Sequence, residues 1–155
     1  MINPHKSKYF PFYMALAEEA AQQSVATRHK VGAIIVTPTG MISPGWNGMP
    51  AGMDNCCESG PLVVDEAASL ATGVHTLRHK TNPAVIHAER NAIDKMTRQG
   101  IATLGSLLFV TLSPCFECCK AIHGLGLNAI YYRDLHDCQK GWPILNAAGV
   151  PLIAM

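Results

Sequence analysis

Between residues 9 and 26, Phe10, Tyr13, Met14, Ala17, Ala20, Ala21 and Ser24 recur at three- and four-residue steps, which predicts a helix with one apolar face. Pro11 suits its first turn. The β-branched run over 31–37 then predicts a strand, Pro38-Thr39-Gly40 a turn, and 41–46 a returning strand, so a hairpin follows the helix. From 47 to 83 the pattern dissolves into Gly, Pro, Asn and short apolar pieces, with a short helix expected over 62–70. Unstructured connections of this length are uncommon and often functional, so the stretch reads as an insertion over a site, at about 53–83 of a single domain spanning 1–155. Order resumes at His87, where Ala88, Ala92, Ile93 and Met96 mark a helix closed by Gly100. A strand is expected over 106–112, and Ser113-Pro114 then supplies an N-cap and a first helical residue. A strand over 127–132, a helix over 138–148 and a strand over 150–154 complete the chain. A hairpin followed by alternating helices and strands implies an α/β architecture, a mixed five-stranded sheet between helices in three α/β/α layers. Its last three strands run parallel through right-handed crossovers.

Composition narrows the class. At 155 residues and 48% hydrophobic, the chain suffices for one well-cored domain. A formal net charge of +1 gives no electrostatic footprint for nucleic acid, although a single nucleotide needs only local donors. The opening Met1-Ile2-Asn3-Pro4-His5-Lys6 lacks the apolar core of a secretory signal, and no run approaches the roughly 18 apolar residues of a membrane span. The six cysteines fall as Cys56-Cys57, Cys115-Cys118-Cys119 and Cys138, which without an export signal points to metal binding and free thiols. A cytoplasmic enzyme is expected.

The chemistry concentrates in His87-Ala88-Glu89 and Pro114-Cys115-Phe116-Glu117-Cys118. One imidazole and two thiolates hold zinc by three bonds and leave a fourth position open for water. Cys115 and Cys118, three apart at a helix start, point the same way, and the helix N-terminus favours the thiolate that binds metal. His87 and Glu89 are two apart and would not share a face of a regular helix. Alone, the Cys-x-x-Cys pair would equally suit a structural zinc knuckle or a redox pair. A structural site wants four protein ligands, however, and a redox pair needs no histidine. The combined H-x-E…P-C-x-x-C arrangement is the established signature of zinc nucleobase deaminases, in which the glutamate, here Glu89, shuttles protons for the attacking water.

Four stretches carry a narrower resemblance: Arg28-His29-Lys30-Val31-Gly32-Ala33, Gly45-Trp46-Asn47-Gly48-Met49-Pro50-Ala51-Gly52, His87-Ala88-Glu89-Arg90-Asn91-Ala92-Ile93, and Thr111-Leu112-Ser113-Pro114-Cys115-Phe116-Glu117-Cys118. Together they resemble the deoxycytidylate (dCMP) deaminases over nearly the whole chain. The resemblance implies a cytidine-deaminase-like fold, His87, Cys115 and Cys118 as the ligands of one catalytic Zn2+, and Glu89 as the catalytic acid and base. It places His87 at the first turn of its helix. It also implies conversion of dCMP to dUMP for thymidylate synthesis, a homo-hexamer, and regulation by dCTP as activator and dTTP as inhibitor, with Mg2+ accompanying the triphosphate. A relative acting on cytidine, guanine or tRNA adenosine is the alternative. tRNA adenosine deaminases share the Gly-Trp-Asn start but are not expected to continue Gly-x-Pro-x-Gly.

Nucleotide contacts, at either the active or the regulatory site, are expected from Arg28, Lys30, Asn47, Gly48, Pro50, Ala51, Gly52, Ala88, Ser113, Pro114 and Tyr132. Gly45, Gly48 and Gly52 would let backbone amides approach phosphate, although such glycines equally suit a hairpin exit. Arg78, His79 and Lys80 could also reach phosphate, and each alone reads as readily as a solvated charge. Some family members carry a second, structural zinc on this insertion. Cys56, His75 and His79 match part of that set, but Ala26-Thr27-Arg28-His29-Lys30 lacks its remaining cysteine.

Overall fold

The computed structural model describes residues 3–155. After a single 3-10 turn at Ser7–Tyr9, α1 (Phe10–Gln22) leads into β1 (Gly32–Val36) and β2 (Ile42–Trp46). The insertion contains β3 (Leu62–Val64), α2 (Glu66–Thr72) and β4 (Leu77–His79). Then follow α3 (Ala88–Arg98), β5 (Leu107–Leu112), α4 (Phe116–Ile122), β6 (Ala129–Asp134), α5 (Trp142–Ala147) and β7 (Leu152–Ala154). The main sheet has the order β2-β1-β5-β6-β7. The β1–β2 and β1–β5 pairs are antiparallel, whereas β5–β6 and β6–β7 are parallel. This is the expected mixed five-stranded sheet with its hairpin and parallel later strands.

Strand β1 is buried throughout because helices cover both of its faces. Ile34, Val36, Leu107 and Phe109 pack under Tyr13, Met14 and Ala17 of α1. Ala33, Ile35, Leu108 and Val110 face the opposite layer, where Ala92 and Met96 of α3, Cys118 and Ile122 of α4, and Leu145 of α5 close the core. Two glycines permit this close stacking. A Cβ on Gly32 would lie 1.9 Å from the Ala17 carbonyl oxygen, and one on Gly45 would lie 2.2 Å from that of Ala88. So β1 is pressed against α1, and β2 against the first turn of α3.

Several boundaries differ from the sequence expectations. Helix α1 stops at Gln22, and the Ser24 hydroxyl then donates to the Asn47 carbonyl at 2.7 Å, tying the chain to the end of β2. The helix expected over 62–70 is instead a strand followed by a helix: Leu62, Val63 and Val64 pair with His79, Arg78 and Leu77, and Asp65 caps α2 by accepting from the Ala68 amide at 3.0 Å. Ser113 and Pro114 do not start α4; Cys115 is its N-cap. Helix α5 begins only at Trp142, after a loop over 135–141. Among the described residues, no helix is long and apolar enough to cross a membrane.

Candidate active site

Two helix starts converge at the C-terminal end of β5, which is where open α/β sheets place their ligands. His87 is the N-cap of α3, with extended backbone (φ −72°, ψ 156°), and Cys115 is the N-cap of α4 (φ −72°, ψ 175°). The extended His87 removes the difficulty in the His-x-Glu spacing. Because His87 is not itself helical, the rule that separates residues two apart does not apply, and Glu89 follows inside the first turn. His87 Nδ1 lies 3.4 Å from Cys115 Sγ and 3.4 Å from Cys118 Sγ. All three donor atoms fall within 4.8 Å of one another.

This donor set fits zinc. Tetrahedral bonds of about 2.3 Å to sulfur and about 2.0 Å to nitrogen separate those donors by about 3.5 Å, close to the spacing found. Two thiolates and an imidazole also match its ligand preference. The electrostatics point the same way. A hydrogen bond from Cys118 holds the Cys115 thiol down at about 3, against the cost of burial and with help from His87, so Cys115 is a ready thiolate. Cys118 is pushed well up by the same shared proton and by burial. The bond to Cys115 raises His87 despite its burial. Burial raises the Glu89 carboxyl, which is only 4% exposed, while its own backbone amide and the His87 charge pull the other way. A raised carboxyl beside a metal-competent cluster suits a group that both takes up and gives back a proton.

A cavity of about 430 Å3 opens onto this cluster, within the usual range for small-molecule sites. His87, Ala88, Glu89, Leu112, Ser113 and Cys115 line it beside the cluster, and Asn47, Arg28, His29 and Val31 line it from the 24–31 loop and the end of β2. The insertion supplies a third wall with Glu58, Asp65, Arg78 and Thr81. The structure thus brings together Arg28, Asn47, Ala88 and Ser113 with the expected zinc ligands and Glu89.

Other expected residues lie elsewhere or spend their polar groups within the protein. Asn47 joins two loop residues: its Oδ1 accepts from the Val31 amide at 2.8 Å and its Nδ2 donates to the His29 carbonyl at 2.8 Å. Arg28 donates to the His79 carbonyl at 3.1 Å and to Thr81 Oγ1 at 2.8 Å, while Glu58 accepts from the Thr27 and Arg28 amides at 2.9 and 3.1 Å. Those reciprocal bonds latch the insertion to the 24–31 loop. Lys30, Gly48, Pro50, Ala51, Gly52, Pro114 and Tyr132 do not line the cavity. Gly48 exchanges backbone bonds with Ile86, Pro114 is buried, and Tyr132 packs against Trp142 with ring centroids 5.9 Å apart. Gly45 serves helix packing.

The partial second-zinc set does not assemble, since His87, Cys115 and Cys118 form the only metal-competent cluster among the described residues. Cys56 is exposed, and the His79 ring is engaged by the Gly60 carbonyl at 2.7 Å. Next to Cys56, the side chain of Cys57 packs with Ala26, Val85 and Met49 in a small apolar cluster. Sequence reasoning passed over Glu58, His136 and Asp137. The polar pair His136-Asp137 shortly after β6 was the available signal for the last two.

Comparison with known proteins bears on the same residues. The sequence profile of the cytidine and deoxycytidylate deaminase zinc-binding region matches residues 10–133. The deoxycytidylate deaminase of Enterobacteria phage T4 is 34% identical, over 88% of this chain and 84% of its own length. ComE operon protein 2 of Bacillus subtilis (strain 168) is 36% identical over 79% of this chain, which spans 58% of that protein. A crystal structure of the dCMP deaminase of cyanophage S-TIM5, in complex with dCMP and dUMP, superposes with a TM-score of 0.80 at 38% identity. That superposition covers 97% of this chain and 98% of the other.

Proposed function

This chain belongs to the cytidine and deoxycytidylate deaminase family, a family of zinc-dependent hydrolases, and we propose that its substrate is dCMP, hydrolysed to dUMP and ammonia. The observation that carries the reading is the convergence of His87, Cys115, Cys118 and buried Glu89 on one nucleotide-sized cavity. The choice of dCMP is supported by the bound nucleotides of the cyanophage relative and by the near-complete overlap of the two chains.

His87, Cys115 and Cys118 would hold the zinc ion, which when bound supplies a Lewis-acidic centre that makes water nucleophilic at neutral pH. Glu89 takes the proton of the water that attacks C4 of the pyrimidine and delivers it to the ring nitrogen N3. A second proton transfer by Glu89 releases the exocyclic amine as ammonia. Burial keeps bulk water from competing for these protons. Ser113, Ala88 and Asn47 shape the cavity, with Asn47 acting chiefly by bridging His29 and Val31.

The finer features rest on the family resemblance. They are a single deaminase domain assembled as a homo-hexamer in the cytoplasm, activated by dCTP and inhibited by dTTP, with Mg2+ on the triphosphate. Exposed apolar side chains on one face of the β3–β4 ribbon, Leu62, Val64 and Leu77, are consistent with subunit contact. The six free cysteines suit a reducing compartment. Assaying dCMP, cytidine, guanine and an RNA hairpin as substrates tests the assignment. dCMP should give the highest kcat/KM, and preference for any other would overturn it. Under the same assay dCTP should lower, and dTTP raise, the dCMP concentration for half-maximal rate.

A further inference from the structure

The loop after β6 puts on the cavity wall a histidine whose second ring nitrogen makes no hydrogen bond among the described residues. His136 is held from three sides. Its amide donates to the buried Ser113 hydroxyl at 2.8 Å, its carbonyl accepts from the Gln139 side chain, and its Nδ1 accepts from the Cys138 amide at 3.0 Å. A backbone amide can only donate, so Nδ1 carries no proton and the neutral ring must carry it on Nε2. Nε2 makes no hydrogen bond among the described residues, and the ring lines the cavity shared with His87 and Glu89. The loop therefore presents one oriented N–H donor to the ligand.

The part of the ligand that it meets follows from depth. The reacting amine must reach Glu89, at 4% exposure, whereas the loop that carries His136 opens to solvent on both sides of it, at Leu135 and Asp137. His136 thus stands at the outer part of the cavity, where the sugar–phosphate end of a nucleoside monophosphate lies. Arg28, the obvious cation, already donates to His79 and Thr81, and Arg78 pairs with Asp65 at 3.5 Å. Asp137 is open to water, which screens its charge. We propose that His136 binds substrate by donating from Nε2 to the 5′-phosphate, so that the loop after β6 helps select the nucleotide over the nucleoside. This rests on dCMP being the substrate.

Two substitutions separate that role from a structural one. Asn at position 136 can still accept the Cys138 amide but cannot reach as far as Nε2, whereas Gln carries an amide N–H at about that reach. His136→Asn should raise KM for dCMP roughly 10- to 100-fold, the usual cost of losing a hydrogen bond to a charged group. The change in kcat should be much smaller, and the inhibition constant of deoxycytidine, which has no phosphate, should stay the same. His136→Gln should recover most of the loss. An unchanged KM in His136→Asn, or equal weakening of dCMP and deoxycytidine, would overturn the assignment. Wild-type protein that does not deaminate dCMP would instead overturn the substrate reading beneath it.

Discussion

In the proposed reaction Glu89 would transfer protons and His87 would bind metal, and each role has a measurable consequence. Glu89→Gln removes the transferable proton while keeping the shape of a buried side chain. Zinc content should remain near one per chain while kcat falls about 10³-fold, within the range that general acid–base catalysis supplies. Turnover near wild type would refute the role. Metal uptake should show how the three ligands share their protons. In the metal-free protein Cys115 is already a thiolate, with its thiol at about 3, whereas Cys118 holds its proton. The His87 titration is shifted upward, so its proton is present below the raised value and lost as pH rises through it. Zinc binding should therefore release the Cys118 proton throughout, and a second proton, from His87, more fully as pH falls through the raised His87 value. Apparent affinity should fall accordingly with pH. Calorimetry over a pH series in buffers of different ionisation enthalpy reads this directly, and a proton release that does not grow as pH falls would contradict the assignment. The identity of these four residues was legible from spacing and chemistry. Their backbone was not, because the extended N-cap conformations of His87 and Cys115 depend on how each helix joins its strand.

At the scale of elements, α3 carries both His87 and Glu89, and its position is set by a glycine on the neighbouring strand. A Cβ at position 45 would come within 2.2 Å of the Ala88 carbonyl oxygen and 2.5 Å of the Ala92 nitrogen. Those are backbone atoms of the helix and cannot step aside. Gly45→Ala should cost about 2–3 kcal/mol and lower the melting temperature by several degrees. Gly48→Ala makes the contrast, since nothing lies within 4 Å of a Cβ there, and stability should change by less than about 0.5 kcal/mol. Equal destabilisation by both would show that Gly45 has no special packing role. The sequence marked both glycines without distinguishing a turn from a close approach. The β1–β2 hairpin and the order of the later elements were readable from local periodicity. The β3–β4 pairing was not, because Leu62–Val64 and Leu77–His79 meet only across α2 and neither strand alternates clearly enough to announce itself.

Across the whole molecule, the cavity is a joint product of the sheet edge and the insertion. The composition of 47–83 suggested a covering segment, and the structure shows how it is fastened: Glu58 holds the amides of Thr27 and Arg28, and the Arg28 side chain reaches back to His79 and Thr81. Long-range reciprocity of this kind leaves no periodic trace in a sequence. Arg28 lines the cavity, and its bonds to the insertion went unforeseen. The central proposal joins all three scales: His87, Cys115 and Cys118 would hold zinc, and Glu89 would move the protons as dCMP loses its amine. The most direct measurement is ammonia release from dCMP by the zinc-loaded protein, by the same protein stripped with a chelator, and by the stripped protein after zinc is returned. Stoichiometric ammonia and dUMP, lost on stripping and regained with about one zinc per chain, is the expected result. Undiminished release from metal-free protein, or no release from dCMP at full zinc occupancy, would contradict it.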